Sequence, residues 1–222
     1  MTPNAAGAAR SRRTRIKFCG MTSAEDVAMA VEAGADAVGV IVAESPRRVA
    51  LDALPALRHA TGPFVSAIGV VARESAPLAR ELAALGFTVQ FSGPELPGLC
   101  ERLAGGRPYI KAFHIDPAES YDAEDFASLA AYVNATPMFD TAARSLDGGT
   151  GRTFDWHVVA PFARARRIIV SGGLEPGNVG DCVRTVRPWA VDVRSGIETG
   201  GKKDARKMVE FVRAVKEADA QT

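Results

Sequence analysis

From residue 15 onward, short apolar runs rich in β-branched and aromatic residues alternate with longer stretches in which Ala and Leu recur at helical spacing. The runs cover residues 16–18, 37–42, 64–71, 87–91, 109–115, 137–139, 167–170 and 190–193. Most are too short for helices and alternate poorly, as strands of a parallel sheet covered on both faces do. The stretches at 24–33, 75–85, 123–133, 155–164, 176–186 and 203–217 predict helices, with less regular helical patterns at 52–60 and 95–104. Val27, Ala30 and Val31 share one face of the first helix, and Ser23 stands where an N-cap belongs. Leu78, Leu82 and Leu85 form the same kind of stripe in 75–85. Gly34 and Gly86 follow their helices where a left-handed C-terminal residue is expected.

Strands that alternate with helices through short connections imply an all-parallel sheet. An open doubly wound sheet suits five or six such units. Eight units in about 205 residues suit a closed barrel near the small end of its range. The expected fold is therefore α/β, a single (β/α)8 TIM barrel over residues 15–218, with residues 1–14 as a disordered tail. That tail is rich in Ala and Arg and lacks the apolar core of a secretory signal. The longest connection, 141–153, carries Asp147-Gly148-Gly149-Thr150-Gly151 and is a candidate functional loop.

Composition changes this picture little. A net charge of +1 gives no strong field toward nucleic acid or an acidic membrane, so neither is an expected partner. No apolar run approaches the length of a membrane span. Cys19, Cys100 and Cys182 are widely spaced, which suggests free thiols and a cytoplasmic setting rather than a zinc site or a disulfide framework. Monomer and homodimer both remain open.

A barrel of this kind gathers its active site at the carboxyl ends of the strands. Cys19 ends the first strand and Asp140 follows the sixth. Ser171-Gly172-Gly173 end the seventh, and Asp192 to Gly196 end the eighth. Glycine turns there, each expected to lead into a helix N-terminus, suit a phosphate; equally, they permit tight turns. A lone cysteine is usually a small buried apolar residue, which is the reading for Cys100 and Cys182. Cys19, beside Gly20 in a turn expected to be polar, could serve as a thiolate. Asp140 could carry a proton if partly desolvated, or simply bond a loop. His114, near the end of the fifth strand, is a lesser candidate. No metal-ligand cluster, P-loop, dinucleotide fingerprint or serine elbow is present in the sequence.

The segments Lys17-Phe18-Cys19-Gly20-Met21-Thr22, Gly34-Ala35-Asp36-Ala37-Val38-Gly39 and Ser45-Pro46-Arg47 resemble the phosphoribosylanthranilate isomerase family. So do Phe139-Asp140-Thr141, Gly148 to Trp156, Ser171-Gly172-Gly173-Leu174, and Ala190-Val191-Asp192-Val193 with Ser195-Gly196. The resemblance covers residues 15 to about 216. It implies a cofactor-free Amadori rearrangement of N-(5-phosphoribosyl)anthranilate in tryptophan biosynthesis. Cys19 would be the general base and Asp140 the general acid. Arg47 would approach the anthranilate carboxylate. The other implied substrate-binding positions are Gln90, Gly172, Gly173, Asp192, Ser195 and Gly196, with the backbone at Gly172-Gly173 and Ser195-Gly196 on the phosphate. No metal and no cofactor are implied.

The chain departs from the family pattern at three points, the first being Val40-Ile41-Val42 in place of a Phe-rich segment after the second strand. Ser92 stands where the fourth-strand motif usually has His, and Arg194 where the eighth-strand motif usually has Ser. The Ser92 and Arg194 departures keep in view a diverged isomerase of another aminoribosyl phosphate; a non-catalytic phosphate-binding barrel is a further alternative, which Cys19 and Asp140 argue against.

Overall fold

The computed structural model describes residues 13–122, 124–141 and 153–221. Eight parallel strands close on themselves: β1 (Arg15–Cys19), β2 (Ala37–Ile41), β3 (Ser66–Val71), β4 (Thr88–Phe91), β5 (Tyr109–Ile115), β6 (Ala135–Thr141), β7 (Ile169–Val170) and β8 (Ala190–Val193). β8 returns to β1 in register, Lys17 opposite Asp192, which completes the barrel. Around it lie α1 (Ala24–Ala33), α2 (Leu54–Ala60), α3 (Ala79–Ala84), α4 (Pro97–Ala104), α5 (Ala160–Ala165), α6 (Val179–Val186) and α7 (Ala205–Asp219). None of the described helices is long and apolar enough to cross a membrane.

Strand side chains point alternately outward and inward, and this parity separates two cores. Outward residues such as Phe18, Val38, Phe91, Phe139 and Val191 join the helices in one large cluster. There the Phe18 ring meets Phe211 of α7 edge-on at 5.9 Å. Inward residues stack in layers inside the barrel. Ile68, Ile110, Ala112, Met138, Ile169 and Ala190 form one layer; Cys19, Ile41, Ala43 and Val70 form another. The second layer lies toward the carboxyl ends, where β1 and β2 finish.

α1 forms as expected. Ser23 accepts from the Asp26 N–H at 3.1 Å, and Gly34 closes the helix at φ 102°. Other elements differ from expectation. Residues 73–78, with Pro77 among them, make a 3-10 turn before the short α3. Over 123–133, of which Ala123 lies outside the described residues, only a 3-10 segment at Ala127–Ala131 forms. The Asp122 carboxylate takes the N–H of Glu124 at 2.8 Å, and Asp125 takes that of Asp122 at 2.8 Å. Such local bonds compete with a helix. Phe126 is turned inward instead, edge-on to Phe139 and Phe162. The 155–164 stretch likewise splits into a 3-10 turn at Trp156–Val158 and α5. A hairpin of β9 (Glu198–Thr199) and β10 (Lys202–Lys203) follows β8 and was not expected from the sequence.

At the amino end, Thr14 is buried. Its N–H and hydroxyl both reach the Asp219 carboxylate at 2.7 Å, tying the chain before β1 to the last turn of α7. Arg13 pairs with Asp36, so residues 13 and 14 of the expected tail are both fastened to the barrel. Residues 1–12 lie outside the described residues.

Candidate active site

Cys19 is the last residue of β1 and is 5% exposed. It belongs to the strand rather than to a polar turn, and Ile41, Ala43 and Val70 cover one side of it. Its other side faces cations. Lys17 shares its face two residues back. A Cβ on Gly39 of β2 would lie 2.8 Å from the Cys19 Sγ and 3.1 Å from the Lys17 Nζ, so the missing side chain leaves room for thiol and ammonium to meet. Lys17 Nζ donates to Asp192 Oδ1 at 2.5 Å, and Ser171 Oγ donates to Asp192 Oδ2 at 3.1 Å. Burial works against the Lys17 charge, but Asp192 and the Cys19 sulfur outweigh it and raise the lysine above its ordinary range. Lys203 Nζ donates to the Cys19 carbonyl at 2.7 Å and to Glu198 Oε1 at 2.8 Å. By contrast, burial pushes the Cys100 thiol up to about 11 and raises Cys182 further, as for inert core thiols.

Asp140 lies within β6, one residue before its end, and its side chain is 32% exposed at the barrel mouth. Desolvation raises its carboxyl above the ordinary range. The nearby Asp192 charge adds to this, while His114 and Arg194 oppose it. His114 is the register partner of Asp140 on β5, with Nδ1 3.9 Å from Oδ2. Its Nε2 lies 2.9 Å from the Ser92 carbonyl, which can only accept, so Nε2 carries the proton. Gln90 points inward from β4, with Nε2 on Ser92 Oγ at 3.0 Å and Oε1 buried without a partner among the described residues.

The β7 turn uses two glycines with positive φ, Gly172 at 87° and Gly173 at 65°. A Cβ on Gly172 would run into the backbone N and the side chain of Thr141. The Gly172 and Gly173 N–H groups have no bonded acceptor among the described residues, which suits an anion. The turns do not pass directly into helix N-termini as expected. Residues 174–178 separate Gly173 from α6, and Ser195–Ile197 form a 3-10 turn that leads into the β9–β10 hairpin.

Arg47 gives Nε and Nη2 to the two oxygens of Glu198, at 2.7 and 2.5 Å. Burial alone would raise the Glu198 carboxyl, but Arg47 and Lys203 outweigh it and hold it below the ordinary range. Among the positions expected from sequence, the structure thus joins Cys19 to Asp192 through Lys17, and Arg47 to the Cys19 carbonyl through Glu198 and Lys203. Gln90 and Asp140 meet at the Ser92–His114 pair. The candidate loop at 141–153 lies outside the described residues except for its first and last.

Lys17, Glu198 and Lys203 were not singled out as site residues from sequence, and Ser171 was named only as part of the β7 turn. Inward parity with Cys19 on the same strand would have found Lys17. Among the described residues, no group of three His, Cys, Asp or Glu is placed to hold a metal ion.

A family model described as N-(5'phosphoribosyl)anthranilate (PRA) isomerase matches residues 16–214. The N-(5'-phosphoribosyl)anthranilate isomerase of Leptothrix cholodnii is 43% identical over 215 residues, spanning 95% of this chain and 94% of its own. The solved phosphoribosyl anthranilate isomerase from Thermotoga maritima superposes with a TM-score of 0.80 at 33% identity, over 92% of this chain and 99% of that one. A phosphoribosyl anthranilate isomerase in complex with reduced 1-(o-carboxyphenylamino)-1-deoxyribulose 5-phosphate superposes with a TM-score of 0.77 at 32% identity, with coverage of 92% and 99%.

Proposed function

The chain belongs to the N-(5'-phosphoribosyl)anthranilate isomerase family, and from that premise we propose that Cys19 and Asp140 are the base and acid of its Amadori rearrangement. The protein is an isomerase of tryptophan biosynthesis, acting on a small phosphorylated substrate. Asp140, protonated, gives its proton to the ribose ring oxygen. The anilino nitrogen lone pair assists as the C1–O bond breaks, and the ring opens to a protonated imine (iminium ion). Cys19, as thiolate, takes the proton from C2, and the resulting enolamine tautomerises to the ketone. Asp140 has then lost one proton and Cys19 has gained one, and exchange with solvent restores both. Each transfer is general acid–base catalysis, typically contributing about 10²–10⁴-fold. Only proton transfers are involved, so the proposed chemistry calls for no cofactor.

The observation that carries this reading is the linkage across the mouth. Lys17 lies beside the Cys19 sulfur and is paired to Asp192, which Ser171 bonds next to Asp140. The Lys17 ammonium is a cation beside the Cys19 sulfur, and desolvation raises the Asp140 carboxyl above its ordinary range. Asp192 commits both oxygens to Lys17 and Ser171, so it acts on substrate through them. The N–H groups of Gly172, Gly173, Ser195 and Gly196 hold the 5-phosphate, and Gln90 offers its buried Oε1 to the sugar. Arg47 keeps only Nη1 outside its pair with Glu198. All these residues lie on one chain, so the reading holds for a monomer and a homodimer alike. It takes residues 15–218 as the catalytic barrel, and it places the reaction in the cytoplasm, where a thiol base stays reduced.

Mixing the protein with freshly generated N-(5-phosphoribosyl)anthranilate and following the loss of its fluorescence tests the reading. Acceleration over the spontaneous background is expected, and its absence refutes it. Rescue of a tryptophan auxotroph separates this substrate from another aminoribosyl phosphate.

A further inference from the structure

Arg194 continues the inward face of β8. Ala190 lies in the interior layer and Asp192 at the Lys17 pair, while Val191 and Val193 face the helices. Residue 194 therefore turns into the barrel mouth. Its Cγ and Cδ lie 3.3 and 3.6 Å from where a Cβ on Gly20 would stand, and the Cδ of Arg47 lies 3.0 Å from the same point. Two arginine stems thus close over the residue that follows Cys19.

The two guanidinium groups differ in their partners. Arg47 has its Nε and Nη2 on Glu198. The Arg194 guanidinium has no bonded or ion-paired acceptor among the described residues, and Asp140 is a neighbour only at longer range. In the mouth, Lys17 is matched by Asp192, and Arg47 and Lys203 share Glu198. Among the described residues, Arg194 adds a further positive charge with no bonded counter-ion. A fork of this kind suits a planar carboxylate held through two parallel hydrogen bonds.

Position separates the carboxylate from the phosphate. Gly196 packs against the Leu174 carbonyl and Glu175, just beyond the β7 turn, whereas Arg194 leans over Gly20 on the β1 side. We propose that Arg194 is a specificity-determining ligand for the aromatic carboxylate of the substrate, with Arg47 and Glu198 as the brace beside it. The proposal rests on the isomerase reading above and names a contact that Arg47, with its fork engaged, leaves open.

Binding of two ligands by calorimetry tests it: reduced 1-(o-carboxyphenylamino)-1-deoxyribulose 5-phosphate, and the same compound without the ring carboxyl. Arg194→Ser is expected to weaken the first about 10- to 100-fold, as for loss of a charge-assisted pair, and the second less than twofold. KM should rise more than kcat falls. The inhibition constant of inorganic phosphate should stay the same. Equal losses for both ligands, or weaker phosphate inhibition, would place Arg194 on the phosphate or sugar and overturn the proposal. No loss for either ligand would also overturn it. Failure of the wild-type protein to bind the carboxylated ligand would instead strike at the isomerase reading.

Discussion

Replacing Lys17 by Met probes the feature that joins the two proposed proton-transfer groups. Lys17 and Asp192 are both buried, with side chains 4% and 6% exposed, and meet at 2.5 Å. At an effective dielectric near 20, unit charges at that distance attract by about 7 kcal/mol. Removing both ions from water costs several kcal/mol each, so the intact pair contributes little net stability. Removing one partner is different. Lys17→Met leaves the Asp192 carboxylate with Ser171 as its remaining bonded partner. The expected loss is about 3–5 kcal/mol. Urea unfolding should show it as a midpoint lowered by about 1–2 M. The double variant Lys17→Met with Asp192→Leu removes both charges and should recover most of that loss. Alkylation of Cys19 by iodoacetamide, read from its peptide mass, separates folding from chemistry. It should slow by about tenfold in both variants, because both lose the cation beside the sulfur. If Lys17→Met costs under about 1 kcal/mol, or if Cys19 alkylates at the wild-type rate, the electrostatic argument fails.

Gly172→Ala places a methyl group against Thr141 at φ 87°, so KM for phosphorylated substrate should rise at least about tenfold, with circular dichroism unchanged. Unchanged KM would remove the phosphate from that turn. Glu198 is held below the ordinary carboxyl range, so its contribution is present above about pH 4.3 and is lost as pH falls through its depressed value. Glu198→Gln should therefore lower Tm at pH 7 by about 10 °C and flatten its acid dependence; a parallel acid limb would contradict this. Burial raises Asp140, and a general acid works protonated, so kcat/KM should fall as pH rises through that raised value. Because His114 opposes the rise, His114→Ala should move this alkaline limb upward, and a fixed limb would count against the assignment.

Local pattern carried most of the fold. The short runs around Phe18, Val38 and Val191 were legible as strands because doubly covered strands need continuous apolar sequence. The strand ends then brought Cys19 and Asp140 to the mouth. What joins them was not legible. Lys17 and Asp192 are 175 residues apart, and Arg47 and Glu198 are 151 apart. Only closure of the barrel makes such pairs neighbours. The stretch 123–133 failed as a helix because Asp122 and Asp125 satisfied the backbone locally and Phe126 found aromatic partners inside. The hairpin at 198–203 was legible in principle, since Gly200-Gly201 is a two-residue hairpin signal. That hairpin carries Lys203 back to the Cys19 carbonyl.

The assignment of base and acid is tested most directly by single-turnover rates of Cys19→Ser and Asp140→Asn with N-(5-phosphoribosyl)anthranilate. Binding of the reduced product analogue is measured alongside, to show that the site remains intact. Each variant is expected to bind the analogue within about threefold of the wild-type protein and to turn over at least about 10²-fold more slowly. Near-wild-type turnover in either variant would contradict the role given to that residue.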